Sequence, residues 1–320
     1  MQQAILLISI TMKKLVLLLL ILPLLASAQQ NKRVDSLQNL LTHTKADTQK
    51  VNILNQLACT KWDTEFTRCI KNATDAIALA GRIKFLRGQA DGYLNRGDVY
   101  YGKLKPDSAI ADYKAGIEVS KKAGYSKGMA IGYDDLGVIM RTQGHTAEAI
   151  AYFQKAAEIY TTINDLDGSS NSYTNLANNY NQLNQFDKAL TGYTKAYQLR
   201  VKIKARLKAA QSLAGIGMTY RNKQLFTTGP DKTNFKLSVQ YMNKALKEFI
   251  ELKHEVNQGL AYKELGITYL QDEDYVNTLK NLLPAEEIFT RIGFKRELGS
   301  LNKGIGRAYL YLKRYDLAKL

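Results

Sequence analysis

The chain has 320 residues, 45% hydrophobic and 23% charged, a balance that supplies a packed core and excludes a disordered polymer. Its 45 basic and 29 acidic residues give a formal net charge of +16, which favours anionic surfaces without naming a partner. Only four prolines are present, so little in the composition opposes helix.

In chain order, the first element is a leader. Met12-Lys13-Lys14 is followed by an apolar run from Leu15 to Leu25 and then by Ala26-Ser27-Ala28. A charged start, an apolar centre and a small-x-small end predict a secretory signal peptide over residues 1–28, released after Ala28. Ile5 to Ile10 adds a second apolar run, whose alternative reading is a membrane anchor. Lys13 and Lys14 split the two runs, and the continuous part falls short of the ~20 residues a span requires. No cysteine follows the run, so a lipoprotein anchor is excluded. The mature chain is therefore expected to be periplasmic or secreted, with no stable membrane span and, without Lys13 and Lys14, a charge of +14 instead of +16.

Residues 29–50 read as an N-terminal cap: a short helix around Val34 to Thr44, then Asp47 or Thr48 as the N-cap of the next helix. From residue 51 to 320 one pattern repeats. Gly97, Gly137, Ala177, Gly217, Gly266 and Gly306 recur at steps of 40, 40, 40, 49 and 40 residues. Three residues after each comes a large side chain: Tyr100, Met140, Tyr180, Tyr220, Tyr269 or Tyr309. A second small set (Ala109, Ala149, Ala189, Ser238, Thr278, Ala318), a bulky set (Tyr113, Phe153, Tyr193, Met242, Leu282) and a third small set (Gly116, Ala156, Ala196, Ala245, Ala285) keep step. Spacings of three and four residues draw one stripe on each of two helices, and the small residues let the helix backbones approach where they cross.

The predicted fold is all-α, an α-solenoid of antiparallel helix pairs. Its units lie near 51–89, 90–129, 130–169, 170–209, 210–258, 259–298 and a partial 299–320. Pro106 with Asp107, Thr146 and Asp187 mark the starts of second helices. The 49-residue unit carries its extra residues as a loop over 226–235, and Pro284 predicts a kink or break in a second helix. Cys59 and Cys69 both fall in the first unit. A disulfide and a buried small hydrophobe at Cys69 are both open readings.

Leu136-Gly137 with Ala149, Phe153 and Ala156, and Leu265-Gly266 with Tyr269, resemble the tetratricopeptide repeat motif. The resemblance spans residues 51–320 and implies a right-handed superhelix. It departs from the family in its 40-residue period, where 34 is usual, and in the first unit, where Lys61 replaces the tyrosine. The period resembles the long-repeat subgroup of exported bacterial type. Members of this kind often continue into a membrane span and a histidine kinase or transcriptional regulator. With Leu320 just past Ala318, the resemblance also implies a second reading, the sensory region of a truncated signal-transduction protein. An incomplete last repeat would leave self-association open.

The sequence offers no constellation for catalysis. His43, His145 and His254 lie in different units, without the spacing of metal ligands. Gly215-Ile-Gly217 and Gly304-Ile-Gly306 sit at repeat crossings with no preceding strand, so they do not read as dinucleotide loops. Asp134-Asp135 and Glu286-Glu287 point to different helix faces. No cofactor, metal or enzymatic activity is expected, and the spread of lysines with no nucleic-acid-reading motif argues against a nucleic-acid partner.

The expected function is binding of a protein or extended peptide in the concave groove that the family's first helices line. Carried over from the resemblance, that groove includes Asp98, Asp134, Arg141, Thr174, Asn178, Asn181, Arg221, Lys263 and Arg307. Asp91, Leu94, Tyr101, Val138, Met218, Ile267 and Lys303 fall on the same face. Its N-terminal end reads as acidic, its centre as asparagine-rich and its C-terminal end as basic. An acidic segment would then orient toward Arg221, Lys263 and Arg307.

Overall fold

The computed structural model describes residues 32–59, 65–314 and 316–318. The signal peptide expected over 1–28, Lys61 and Leu320 lie outside the described residues. The described residues form helices and turns, with no strand among them.

After α1 (residues 32–43) come α2 (Asp47–Ala58), α3 (Phe66–Arg82), α4 (Leu86–Gly102), α5 (Pro106–Lys122) and α6 (Ser126–Thr142). They are followed by α7 (Thr146–Thr162), α8 (Leu166–Gln182), α9 (Phe186–Lys202) and α10 (Arg206–Gln224). The last are α11 (Thr233–Glu251), α12 (Glu255–Gln271), α13 (Tyr275–Arg291) and α14 (Lys295–Tyr311). First helices open ahead of the boundaries drawn from the small-residue spacing, α4 at Leu86 where the unit was drawn from 90.

Helix length is set by a second ruler. Lys84, Leu104, Gly124, Gly144, Asn164, Asn184 and Lys204 all take positive φ, one every 20 residues, and Lys253, Glu273, Gly293 and Lys313 resume the series. Each closes a helix in a left-handed turn, and the next amide donates back to a carbonyl five residues earlier: Lys105 to Tyr100 at 3.0 Å, Gln185 to Tyr180 at 2.8 Å. Half of a 40-residue repeat is thus one helix plus one turn. Side chains that tolerate the left-handed region poorly, such as Leu104, hold it because the helices packed on either side fix the turn.

Second helices start at the expected signals, α5 at Pro106, α7 at Thr146 and α9 at Phe186, but the expected side-chain cap of α2 does not form. Ala46, Lys105, His145 and Gln185 occupy the N-cap positions of α2, α5, α7 and α9, and none of them caps with its side chain. Asp47, Asp107 and Asp187 instead sit in the first turn, where they favour the helix dipole. Side-chain caps come from Asp165, His254 and Asp274.

The chain divides into two compact units, one ending at Ile139 and the other starting at Met140, within α6. In the first unit consecutive helices from α2 to α5 pack together, and α2 also packs on α4. In the second, α7 to α14 pack in chain order, with α10 on α12 and α12 on α14. First helices therefore touch one another within each unit and form an inner layer. Where two first helices cross their own second helices, glycine is needed: a Cβ on Gly97 of α4 would stand 2.5 Å from the Tyr113 ring of α5, and one on Gly266 of α12 2.3 Å from Leu282 of α13. Tyr113, Phe153, Leu282 and Phe289 are nearly fully buried beside them. Arg200, 5% exposed, ties α8, α9 and α10 by donating to Asn171 Oδ1, Ser212 Oγ and the Lys208 carbonyl.

Two local expectations are corrected, and one open reading is decided. The extra residues of the long repeat do not all enter a loop: α10 and α11 are each two residues longer than the usual 17, and the connection covers 225–232. Gln224 secures that loop, donating to the Asp231 carbonyl and accepting from the Phe235 amide. Pro284 lies inside an unbroken α13. Leu282, Ala285, Ile288 and Phe289 are buried on both sides of it, and the carbonyl left without a donor belongs to the exposed Lys280. Cys59 and Cys69 are free thiols, with Cys69 fully buried in the small-residue register. No helix among the described residues is long and apolar enough to cross a membrane.

Candidate binding faces

In the first unit the inner face is acidic. Asp98, on α4, accepts a hydrogen bond from the Tyr113 hydroxyl of α5 at 2.8 Å. It is open to solvent on one side, yet the protein crowding its other sides strips hydration and pushes its carboxyl up to about 6. Asp135, on α6, is raised well above the usual carboxylate range by burial, then by the charges of Asp98 and Asp134. Among the described residues no lysine or arginine pairs with Asp98 or Asp135. Burial also raises Asp91. The nearby Cys59 thiol is pushed up to about 11 by burial, with Asp98, Cys69 and Asp91 adding to it. Asp91 and Cys59 line a cavity of about 450 Å³ with Arg33, Asn52, Gln56 and Asn95.

The second unit repeats this geometry with different charge. Tyr193 of α9 donates to Asn178 Oδ1 on α8, as Tyr113 does to Asp98. Asn181 donates to Thr219 at 2.8 Å, and Thr174 turns back to the Ser170 carbonyl. Thr174, Asn178 and Met218 line a cavity of about 310 Å³ together with Gln211, Met242 and Glu264. The cations are committed elsewhere: Arg221 pairs with Glu264, and Lys263 Nζ lies 2.7 Å from Glu297 and 3.4 Å from Glu264. The basic end read from residue types is thus largely neutralised by acids of the neighbouring first helices. Arg307 is exposed, with its guanidinium 5.8 Å from the Tyr311 ring, and Arg141 is half-buried in the last turn of α6.

The structure therefore brings Asp98 and Asp134 into one acidic patch and Thr174 and Asn178 into one cavity. It adds Asp135 and Glu264, which the sequence reading left out. Both stand two residues before a repeat glycine, Gly137 or Gly266. That position meets the preceding first helix, and the shared register was the signal available. Among the described residues no group of three His, Cys, Asp or Glu side chains could hold a metal ion.

Two family models described as tetratricopeptide repeat match the sequence, at residues 88–162 and 170–200. Those residues carry tetratricopeptide repeats. Solved structures agree on the fold. A signal transduction ATPase with a tetratricopeptide repeat sensor from Pyrococcus horikoshii superposes with TM-score 0.70 at 17% identity, covering 88% of this chain and 42% of that one. BtubC from P. vanneervenii gives 0.60 at 15% identity, covering 71% and 91%. Aspartyl phosphate phosphatase F from Bacillus subtilis gives 0.58 at 13%, covering 91% of each. Among curated proteins none matches the sequence. At these identities the likeness concerns the tetratricopeptide fold alone.

Proposed function

We propose that this chain is an exported, non-catalytic scaffold whose repeats bind a protein or extended peptide, and that the inner face of the first unit selects a cationic side chain. The observation that carries this reading is the pair Asp98 and Asp135, two crowded carboxylates without a basic partner among the described residues. Such charges are costly in the free protein, and a lysine or arginine from a ligand would relieve the cost on binding. The Tyr113 hydroxyl holds Asp98 in place for that contact. Export rests on the charged, apolar and small-residue order of residues 12–28, and N-terminal sequencing of the exported protein should begin at Gln29.

Titration calorimetry with a lysine-rich peptide and a glutamate-rich peptide of equal length tests the binding reading. The lysine peptide should bind more tightly at pH 7.5. With Asp98 titrating at about 6, proton competition should weaken it about tenfold at pH 5. Asp98→Asn with Asp135→Asn should remove both the affinity and its pH dependence. Equal binding of the two peptides, or a preference for the acidic one that survives those substitutions, defeats the reading.

A further inference from the structure

In second helices, the residue three positions after the small crossing residue leaves the crossing and covers the first helix. Tyr241 does so between α10 and α11: its ring stacks on Tyr220 with centroids 5.8 Å apart and planes at 18°, and Lys244 Nζ lies 5.2 Å from its centroid. Asp112 fills the same register between α4 and α5 and is held by Arg96 at 2.7 and 2.8 Å. Asn281 fills it in α13. In α9 the register holds Gly192.

The first helix explains the exchange. A Cβ on Gly192 would stand 3.0 Å from both the Ala177 Cβ and the Tyr173 carbonyl, whereas Asp112, Tyr241 and Asn281 are matched in register by Gly97, Gly217 and Gly266. Moving the one Cβ from α9 to α8 leaves a cavity of about 540 Å³ bounded by α7, α8 and α9. Leu176 and Gly192 form its floor, Tyr173 and Tyr180 its walls. The exposed Glu158, Lys188 and Lys195 stand at its rim. It lies on the other side of α8 from the cavity that Thr174 and Asn178 line.

The parts that clasp a ring in the next repeat persist here without one. Tyr180 matches Tyr220 in register, and Lys195 matches Lys244. Lys155, in the same register, stands 5.8 Å from the Tyr152 centroid. Lys195 instead rests 5.0 Å from the Tyr173 centroid and Lys188 5.4 Å from that of Tyr180, while Gln154 donates to the Tyr180 hydroxyl.

We propose that this cavity receives the aromatic side chain of an acidic segment of a partner protein. The ring stacks on Tyr180 beneath Lys195 as Tyr241 does on Tyr220 beneath Lys244, and the flanking carboxylates meet Lys188 and Lys195. The chain's own Tyr241 specifies the ring, the two rim lysines against one glutamate specify the charge, and the exposed rim lets a surface segment enter.

The test is binding of the peptide acetyl-Glu-Glu-Tyr-Glu-Glu-amide to the purified chain, followed by calorimetry and by the amide resonance of Gly192. Ala177→Gly with Gly192→Tyr transplants the α10–α11 arrangement, fills the cavity from within and should weaken binding at least tenfold with unchanged helicity. Lys195→Ala keeps the test open if that variant misfolds, and should weaken binding at least threefold. The Gly192 resonance reports this cavity alone, which separates the result from the fate of the inner-face reading. Undiminished binding to the variants, equal binding of a peptide with alanine for tyrosine, or equally tight binding of free 3-(4-hydroxyphenyl)propionate would overturn the proposal.

Discussion

Asp98 with Asp135 in the first unit and Arg221 with Glu264 in the second share one half of their geometry: the partner stands two residues before the next repeat glycine, while Asp98 follows its own repeat glycine by one residue and Arg221 by four. In the second unit opposite charges meet, so the charge on the face is balanced from within. In the first unit like charges meet, and the strain stays in the free protein. Fold and recognition thus separate at the level of single positions: crossings, turns and core are shared, while the charge opposite each first helix decides whether a face needs a ligand.

The largest expected effect comes from breaking the satisfied pair. Glu264→Gln leaves Arg221 and Lys263, each 14% exposed, with less than their acid complement, and should cost about 2–4 kcal/mol in urea denaturation. A loss under about 0.5 kcal/mol would mean that the pair is screened and the contrast between units is weaker than drawn.

A smaller effect of opposite sign is expected at Asp98. Its folded carboxyl titrates at about 6, above the unfolded value, so the stability it contributes is complete below about pH 4 and is lost as pH rises through 6. Asp98→Asn should therefore raise the melting temperature at pH 7 by about 2 °C, a shift discounted for the solvent-open side of the group, and flatten the rise seen on acidification to pH 5. Asparagine keeps an acceptor for Tyr113, as Asn178 does for Tyr193.

The smallest effect is chemical. Cys59 is exposed, yet its thiolate is disfavoured by burial and by the charges of Asp98 and Asp91, so iodoacetamide alkylation should show a midpoint near pH 11. Asp98→Asn should move that midpoint down. A midpoint near 9 in the native chain would remove the acidic field from the account.

The repeat was legible in the sequence because its crossings demand small side chains, and Gly97, Gly217 and Gly266 sit where a Cβ would strike the facing helix. The 20-residue rhythm of turns was not, since Leu104, Lys204 and Glu273 do not advertise the left-handed conformation that Gly124 and Gly144 do. Candidate faces were legible as positions but not as charge balance. Asp134-Asp135 was weighed as neighbours on one helix, while the partner that matters for Asp135, Asp98, lies on another helix of the inner layer. Likewise Arg221 read as a free cation because Glu264 is 43 residues away. The cavity at Gly192 depends on an exchange of one methyl between helices, which a small-for-small register hides.

The most direct test of the central claim is a carbon-detected NMR titration of the Asp98 carboxyl, free and with the lysine peptide. The account predicts a midpoint near 6 in the free chain and a clear fall on binding. A free-chain midpoint near 4, unmoved by the peptide, would contradict it.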